Sequence, residues 1–217
     1  MSSFDHYIGV LGAGRAGTAI ARAAARHGID VQIASTRTPS QMRYHLMQYA
    51  PVAHGVHAKD IACDAEIIIL AIPQQDLDDV DPNWIGSRIL VDATNRWDEE
   101  PLPDWFTSGL LANLSSSEII AQRFPNARVV KALNHISHWA MDAPRSDQRR
   151  GALVASDDQH AAQYVAQLVA ALGFDPVVAP SLALGRVIEP GSSLFNVAAT
   201  AQELQQLVSP HDTDIPE

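Results

Sequence analysis

Short, uninterrupted apolar runs alternate along the chain with stretches in which apolar residues recur every three or four positions. The runs "YIGVLG" (7–12), "DVQIAS" (30–35), "EIIILAIP" (66–73), "RILVDAT" (88–94), "ARVVKAL" (127–133) and "GALVAS" (151–156) have the character of strands covered on both faces. Between them, "RAGTAIARAAARHG" (15–28) reads as an Ala-rich helix stopped by Gly28, and Pro39 opens a second helix over 39–50. "SSSEIIAQRF" (115–124) carries Ser and Glu capping signals, and "DDQHAAQYVAQLVAALG" (157–173) is a further helix ending at glycine. Parallel strands need crossover connections, so this alternation predicts an α/β fold with a doubly wound, mostly parallel sheet of the Rossmann kind. The segments "DPNWIGSR" (81–88) and "RWDEEPLPDWFTSG" (96–109) read as loops, the second long enough to hang over a site.

Residues 1–150 are expected to form a nucleotide-binding core, and 151–217 a strand and helix lobe packed on the same domain. In that lobe Leu194, Val197, Ala198, Ala201, Leu204 and Leu207 or Val208 fall close to helical period. Such a stripe covers its own sheet or pairs with a second copy, and a homodimer is the preferred arrangement. The terminal "SPHDTDIPE" is polar and reads as a frayed tail.

Composition narrows the setting. With 217 residues, 47% of them hydrophobic, the chain buries a real core but is short for two full domains. No stretch reaches the roughly 18 apolar residues of a membrane span, and the N-terminus lacks a signal-peptide pattern, so a cytoplasmic protein is expected. The single cysteine, Cys63, excludes an intramolecular disulfide and a thiolate metal cage. A formal charge of -10 argues against nucleic acid or an anionic membrane as partner. The expected partner is a small-molecule redox acceptor.

The chemistry concentrates at the carboxyl ends of the strands. Gly12-Ala13-Gly14-Arg15-Ala16-Gly17 matches G-x-G-x-x-G at the first strand-to-helix turn, where Gly12 permits the turn, Gly14 lets a pyrophosphate approach and Gly17 lets helix and strand pack. A site for NAD usually carries an acid some 20 residues on. Here the second strand ends Ser35-Thr36-Arg37, two hydroxyls and a guanidinium suited to a 2′-phosphate, so NADP(H) is the expected cofactor. Ala71, Ile72 and Pro73, after the next long strand, should border the nicotinamide ribose. Asp92 and Asn95, and Asn134, His135 and His138, end the following strands on the same side and are candidates for substrate contact. Asp92 and Asn95 could equally satisfy a turn. His135 and His138 have helical metal-ligand spacing without a third ligand nearby, so no metal is expected.

The order of "IGVLGAGRAGTAIA", "ASTR", "LAIPQQ", "VDATN", "SSSEIIAQRFPNARVVKALNHI", "GALVASDD" and "GRVIEPGSSLFN" resembles the F420-dependent NADP oxidoreductase family over residues 7 to 207. The resemblance implies a small Rossmann protein that passes a hydride between NADPH and the deazaflavin coenzyme F420 or a similar flavin. Gly12 to Gly17 would then hold pyrophosphate, Ser35, Thr36 and Arg37 the 2′-phosphate, and Ala71, Ile72 and Pro73 the nicotinamide side, while Asn134 and His135 would flank the acceptor. Hydride transfer between flat cofactors needs stacking more than acid or base catalysis. A small carbonyl or imine acceptor would need a proton donor, for which His135 or His138 is the first suspect. Ferric iron as acceptor, and NADP(H) binding or sensing without turnover, also stay open. In "GRVIEPG", Arg186 and Glu189 are expected to form an ion pair that locks the turn.

Overall fold

The computed structural model describes residues 7–96, 101–143 and 149–208. Eight strands form one sheet: β1 (Ile8–Leu11), β2 (Val31–Ala34), β3 (His54–Gly55), β4 (Ile67–Leu70), β5 (Ile89–Asp92), β6 (Arg128–Ala132), β7 (Gly151–Ala155) and β8 (Asp175–Ala179). Their spatial order is β3-β2-β1-β4-β5-β6-β7-β8. The helices are α1 (Arg15–Arg26), α2 (Pro39–Tyr49), α3 (Asp104–Leu111), α4 (Ser116–Arg123), α5 (His138–Asp142), α6 (Gln159–Ala171) and α7 (Ala201–Val208). This is the doubly wound α/β architecture that the alternating pattern predicts.

Strands β1 and β4 are buried at every position, which explains their unbroken apolar sequences: each is flanked by two strands and covered on both faces. On one face lies α1, whose buried Ala19, Ala21, Ala23 and Ala24 keep it close to the sheet, together with α6. The other face packs Phe106 of α3, Ile119 and Ile120 of α4, and Phe124 at the end of α4 against Leu70 and Leu90. α2 begins at Pro39 with a full capping box between Thr38 and Gln41, and α4 has the same device between Ser115 and Glu118.

The parallel order breaks once. β6 and β7 pair antiparallel, Lys131 opposite Ala155 and Ala132 opposite Val154, and β8 then runs parallel to β7. β3 and β8 are additional to the strands read from sequence. β3 is only two residues long, and β8 opens with Asp175-Pro176, which disguises it as a turn.

Three sequence expectations need correction. The stretch 96–109 is not a continuous loop: Pro103 initiates α3, Phe106 is fully buried, and Trp105 Nε1 donates to Asp78 Oδ1 at 2.7 Å. The acids Asp98, Glu99 and Glu100 of that stretch lie outside the described residues. The C-terminal stripe is helical only from Ala201; Leu204 and Val208 pack on β7 and β8, while Val197 and Leu207 are exposed. Finally, Arg186 and Glu189 do not pair with each other. Arg186 donates to the side chain and carbonyl of Asn113, and Glu189 accepts from the backbone and hydroxyl of Ser116.

Candidate functional site

The glycine turn between β1 and α1 is a tightly wedged piece of backbone. Gly12 has φ +117°, and a Cβ there would stand 2.2 Å from the Ala71 carbonyl oxygen. A Cβ on Gly17 would fall 1.8 Å from the Gly12 oxygen. The protein's own packing therefore requires both residues to be glycine. Gly14 is different, because a Cβ at this position meets nothing within 4 Å. No protein atom demands a glycine there; a pyrophosphate drawn close to the backbone would. α1 begins immediately after, with no side-chain cap and no acid in its first turn, so its free N–H groups and positive dipole end are available to an anion. Arg15 is exposed beside it. A brace absent from the sequence reading comes from α2, where His45 Nε2 lies 2.7 Å from the Ala13 carbonyl oxygen, to which it donates.

The turn opens into a cleft of about 690 Å³ whose floor includes Gly12, Ala13 and Gly14. One wall is formed by Ser35, Thr36, Arg37 and Thr38 after β2 and by His57, Ala58 and Lys59 after β3. The other consists of Ala71, Ile72 and Pro73 after β4, followed by Asp76, Asp79, Val80 and Trp84. The structure thus brings Gly12, Ala13 and Gly14 of the predicted pyrophosphate turn together with the predicted 2′-phosphate and ribose residues in one cavity, while Arg15 and Ala16 border another recess and Gly17 is buried against the turn. Within it Ser35 is engaged by the fold: its Oγ accepts from Arg37 N at 3.1 Å and lies 3.0 Å from Met42 Sδ. Thr36 and Arg37 are exposed to the cleft.

A second recess, of about 500 Å³, lies on the other side of the α1 N-terminus, bordered by Arg15, Ala16, Asn95, Asn134, His138 and Trp139, with Phe195 and Asn196 from the C-terminal segment. Asn95 and Asn134 clasp each other across the ends of β5 and β6: Asn95 Nδ2 donates to the Asn134 carbonyl at 2.8 Å, and Asn134 Nδ2 to Asn95 Oδ1 at 3.2 Å. Asn134 Nδ2 also reaches the Ile188 carbonyl at 2.7 Å, tying the C-terminal segment to the recess. Its helix α5 is held to α1 by Arg22, whose Nε donates to Asp142 Oδ1 at 3.0 Å. That pairing raises the Arg22 pKa and lowers that of Asp142, in each case chiefly through the hydrogen bond between them.

His135 and His138 part company. His138 borders the recess with its ring 4.6 Å from that of Trp139. His135 instead is buried, 3% exposed, where its Nε2 accepts from Leu153 N of β7 at 3.4 Å. Burial, aided by the charges of Arg150 and Lys131, depresses its pKa to about 3. His135 is therefore neutral at physiological pH, which corrects the expectation that it titrates near working pH as a proton donor.

Asp92 is likewise withdrawn from the surface. Fully buried, it accepts from Thr94 N at 2.9 Å, Thr94 Oγ1 at 2.6 Å and Ser117 Oγ at 2.6 Å, and from Lys131 Nζ at 3.0 Å. Lys131 also reaches Ser116 Oγ at 3.0 Å and lies 4.0 Å from Glu189. Because the single Thr94 hydroxyl proton is committed to Asp92, Gln74 must donate to Thr94 through Nε2, at 3.0 Å. The network joins the turn after β4, the ends of β5 and β6, the start of α4 and the C-terminal turn. Sequence reasoning passed over Lys131; a lysine inside the apolar run "ARVVKAL" was the available signal.

Comparison with known proteins agrees with this geometry. Residues 7–96 match the family described as NADP oxidoreductase, coenzyme F420-dependent. Rat metalloreductase STEAP3 is 28% identical over 184 residues, which cover 84% of this chain and 35% of that protein. The chain thus spans about a third of the length of this relative. A hypothetical protein from Sinorhizobium meliloti has a similar structure, with a TM-score of 0.74, 26% identity and coverage of 91% of this chain and 96% of that one. A structure from Arthrobacter sp. FB24, with a proposed F420-dependent NADP-reductase role, gives a TM-score of 0.64 at 27% identity, covering 79% of this chain and 83% of its own.

Proposed function

We propose, from the match of residues 7–96 to the family described as NADP oxidoreductase, coenzyme F420-dependent, that this chain passes a hydride between NADP(H) and a flat redox acceptor, the deazaflavin F420 or a related flavin. The observation that carries the cofactor reading is Gly14, a glycine with open space where its side chain would be, at the mouth of an uncapped helix. The nicotinamide supplies the hydride chemistry when bound; the protein's part is to hold, orient and shield. The α1 N-terminus receives the pyrophosphate, Thr36 and Arg37 the 2′-phosphate, and Ala71, Ile72 and Pro73 border the nicotinamide side of the same cleft.

The recess supports a flat acceptor by its chemistry. Trp139 and Phe195 offer aromatic surface, the Asn95–Asn134 clasp a polar edge, and buried His135 holds no exchangeable charge. Such a site stacks and aligns rings better than it protonates a carbonyl. His138, which borders the recess, is the remaining proton-donor candidate for a carbonyl or imine acceptor. A second reading, NADPH-driven metal reduction, is favoured by the similarity to a metalloreductase.

The test is anaerobic mixing of the protein with NADPH and, in parallel, oxidised F420, FMN or a ferric chelate, with NADH as control. Bleaching of the deazaflavin or flavin with NADPH and not NADH is the expected result. Reduction of the ferric chelate alone would move the assignment to metal reduction, and NADPH binding with no oxidation by any acceptor would overturn the enzymatic reading.

A further inference from the structure

The cation demanded by a 2′-phosphate is present twice. β2 and β3 run parallel, Gln32 beside His54 and Ile33 beside Gly55, and Val56 N continues the ladder to the Ile33 carbonyl at 3.0 Å. Neighbouring strands lie about 4.8 Å apart, so the residues after β3 must emerge next to those after β2. β2 is followed by Ser35-Thr36-Arg37. β3 is followed by His57 and then a 3-10 turn, Ala58–Asp60, which carries Lys59 into the same cleft.

We propose that Lys59 is a second ligand of the cofactor's 2′-phosphate and sets, with Arg37, the preference for NADP over NAD. The inference rests on the NADP reading above. Among the described residues neither Arg37 nor Lys59 has an ion-pair partner, although the chain has more acids than bases. Two unpaired cations on one wall repel each other, and a dianion between them relieves that repulsion while gaining two charge-assisted contacts. The opposite wall carries Asp76 and Asp79, which face the cleft and repel a phosphate placed on their side. The charge asymmetry across the cleft therefore selects one placement: phosphate toward β2 and β3, with the acids left to accept from the adenine side. Arg37, planar and forked, grips two phosphate oxygens, and Lys59 adds a point charge from the flank.

The experiment is calorimetric titration of the whole protein with adenosine 2′,5′-bisphosphate and with 5′-AMP, probes that differ only in the 2′-phosphate and need no hydride transfer. Wild-type protein should bind the bisphosphate more tightly. Lys59→Gln should weaken bisphosphate binding about 10-fold, leave 5′-AMP unchanged and flatten the salt dependence, whereas Lys59→Arg should retain most of the preference. Lys59 is exposed, so neither variant threatens the fold. If wild-type protein prefers the bisphosphate and Lys59→Gln does so equally, the role of Lys59 is overturned while the NADP reading stands. Equal weakening of both probes also overturns it, since the lysine would then act on the nucleotide at large. A wild-type protein that does not distinguish the two probes overturns both readings.

Discussion

The carboxyl edge of the sheet has two halves built on different principles. From β3 to β4 the edge is backbone: glycines wedged against carbonyls, an uncapped helix end, and exposed cations around an open cleft. From β5 to β8 it is side chain: a fully buried Lys131–Asp92 pair, two serines, a threonine and a glutamate hydrogen-bonded together. The first half is specified by local sequence and leaves its polar groups for a ligand. The second uses its polar groups on itself, joining segments far apart in the chain. Binding and stability should therefore separate on mutation.

The largest effect is expected at Lys131. Lys131→Ala leaves Asp92 charged and unpaired at zero exposure, which costs about 3–5 kcal/mol of stability, read from urea unfolding. A loss under about 1 kcal/mol would mean that the network is not the keystone of its half. Gly14→Ala should do the reverse: stability down by no more than about 1 kcal/mol, the usual difference between Gly and Ala at a helix N-cap, because the new methyl meets no protein atom, but NADPH affinity down on the order of 100-fold, about 2.7 kcal/mol. If Gly14→Ala bound NADPH normally, the pyrophosphate would not lie on this turn.

The contrast also explains what could be read from the chain. The six apolar runs announced their strands because burial on both faces favours apolar residues, and G-x-G-x-x-G reports local backbone needs. α3 was hidden because Pro and acidic residues around it look like loop, while its anchor, Phe106, is buried by Ile119 and other residues brought near only by folding. Lys59 escaped notice because two residues of β3 make too short a signal. Asp92 looked available as an end-of-strand acid, since nothing local reveals that its partner lies 39 residues on. His135 looked titratable for the same reason.

A smaller effect sharpens the comparison through pH. The folded pKa of His135, about 3, lies below the ordinary 6.5, so as pH falls through 6.5 the unfolded chain takes up a proton that the folded one refuses. This contribution to stability is complete above 6.5 and declines by about 1.4 kcal/mol per pH unit until the folded group titrates. His135→Gln should flatten the stability difference between pH 7 and pH 5 relative to wild type; an unchanged slope would contradict its burial. The smallest effect is expected at the tie between α1 and α5. Arg22 and Asp142 are each about a third exposed, so Asp142→Asn should cost under about 1 kcal/mol. It should raise the KM for the acceptor more than that for NADPH, and equal changes would show that α5 does not shape the recess separately.

The reversal of β7 has a consequence for how such proteins diversify. Because β6 runs up to the rim and β7 runs down from it, Leu133 and Arg150 both stand at the same end of the sheet. The stretch between them, carrying Asn134, His138 and Trp139, departs from and returns to one edge, as a handle is fixed at both ends to one side of a cup. A change in its length therefore rethreads no strand. Under the function proposed above, a change of acceptor would then require a change in this one insert and none in the nucleotide cleft.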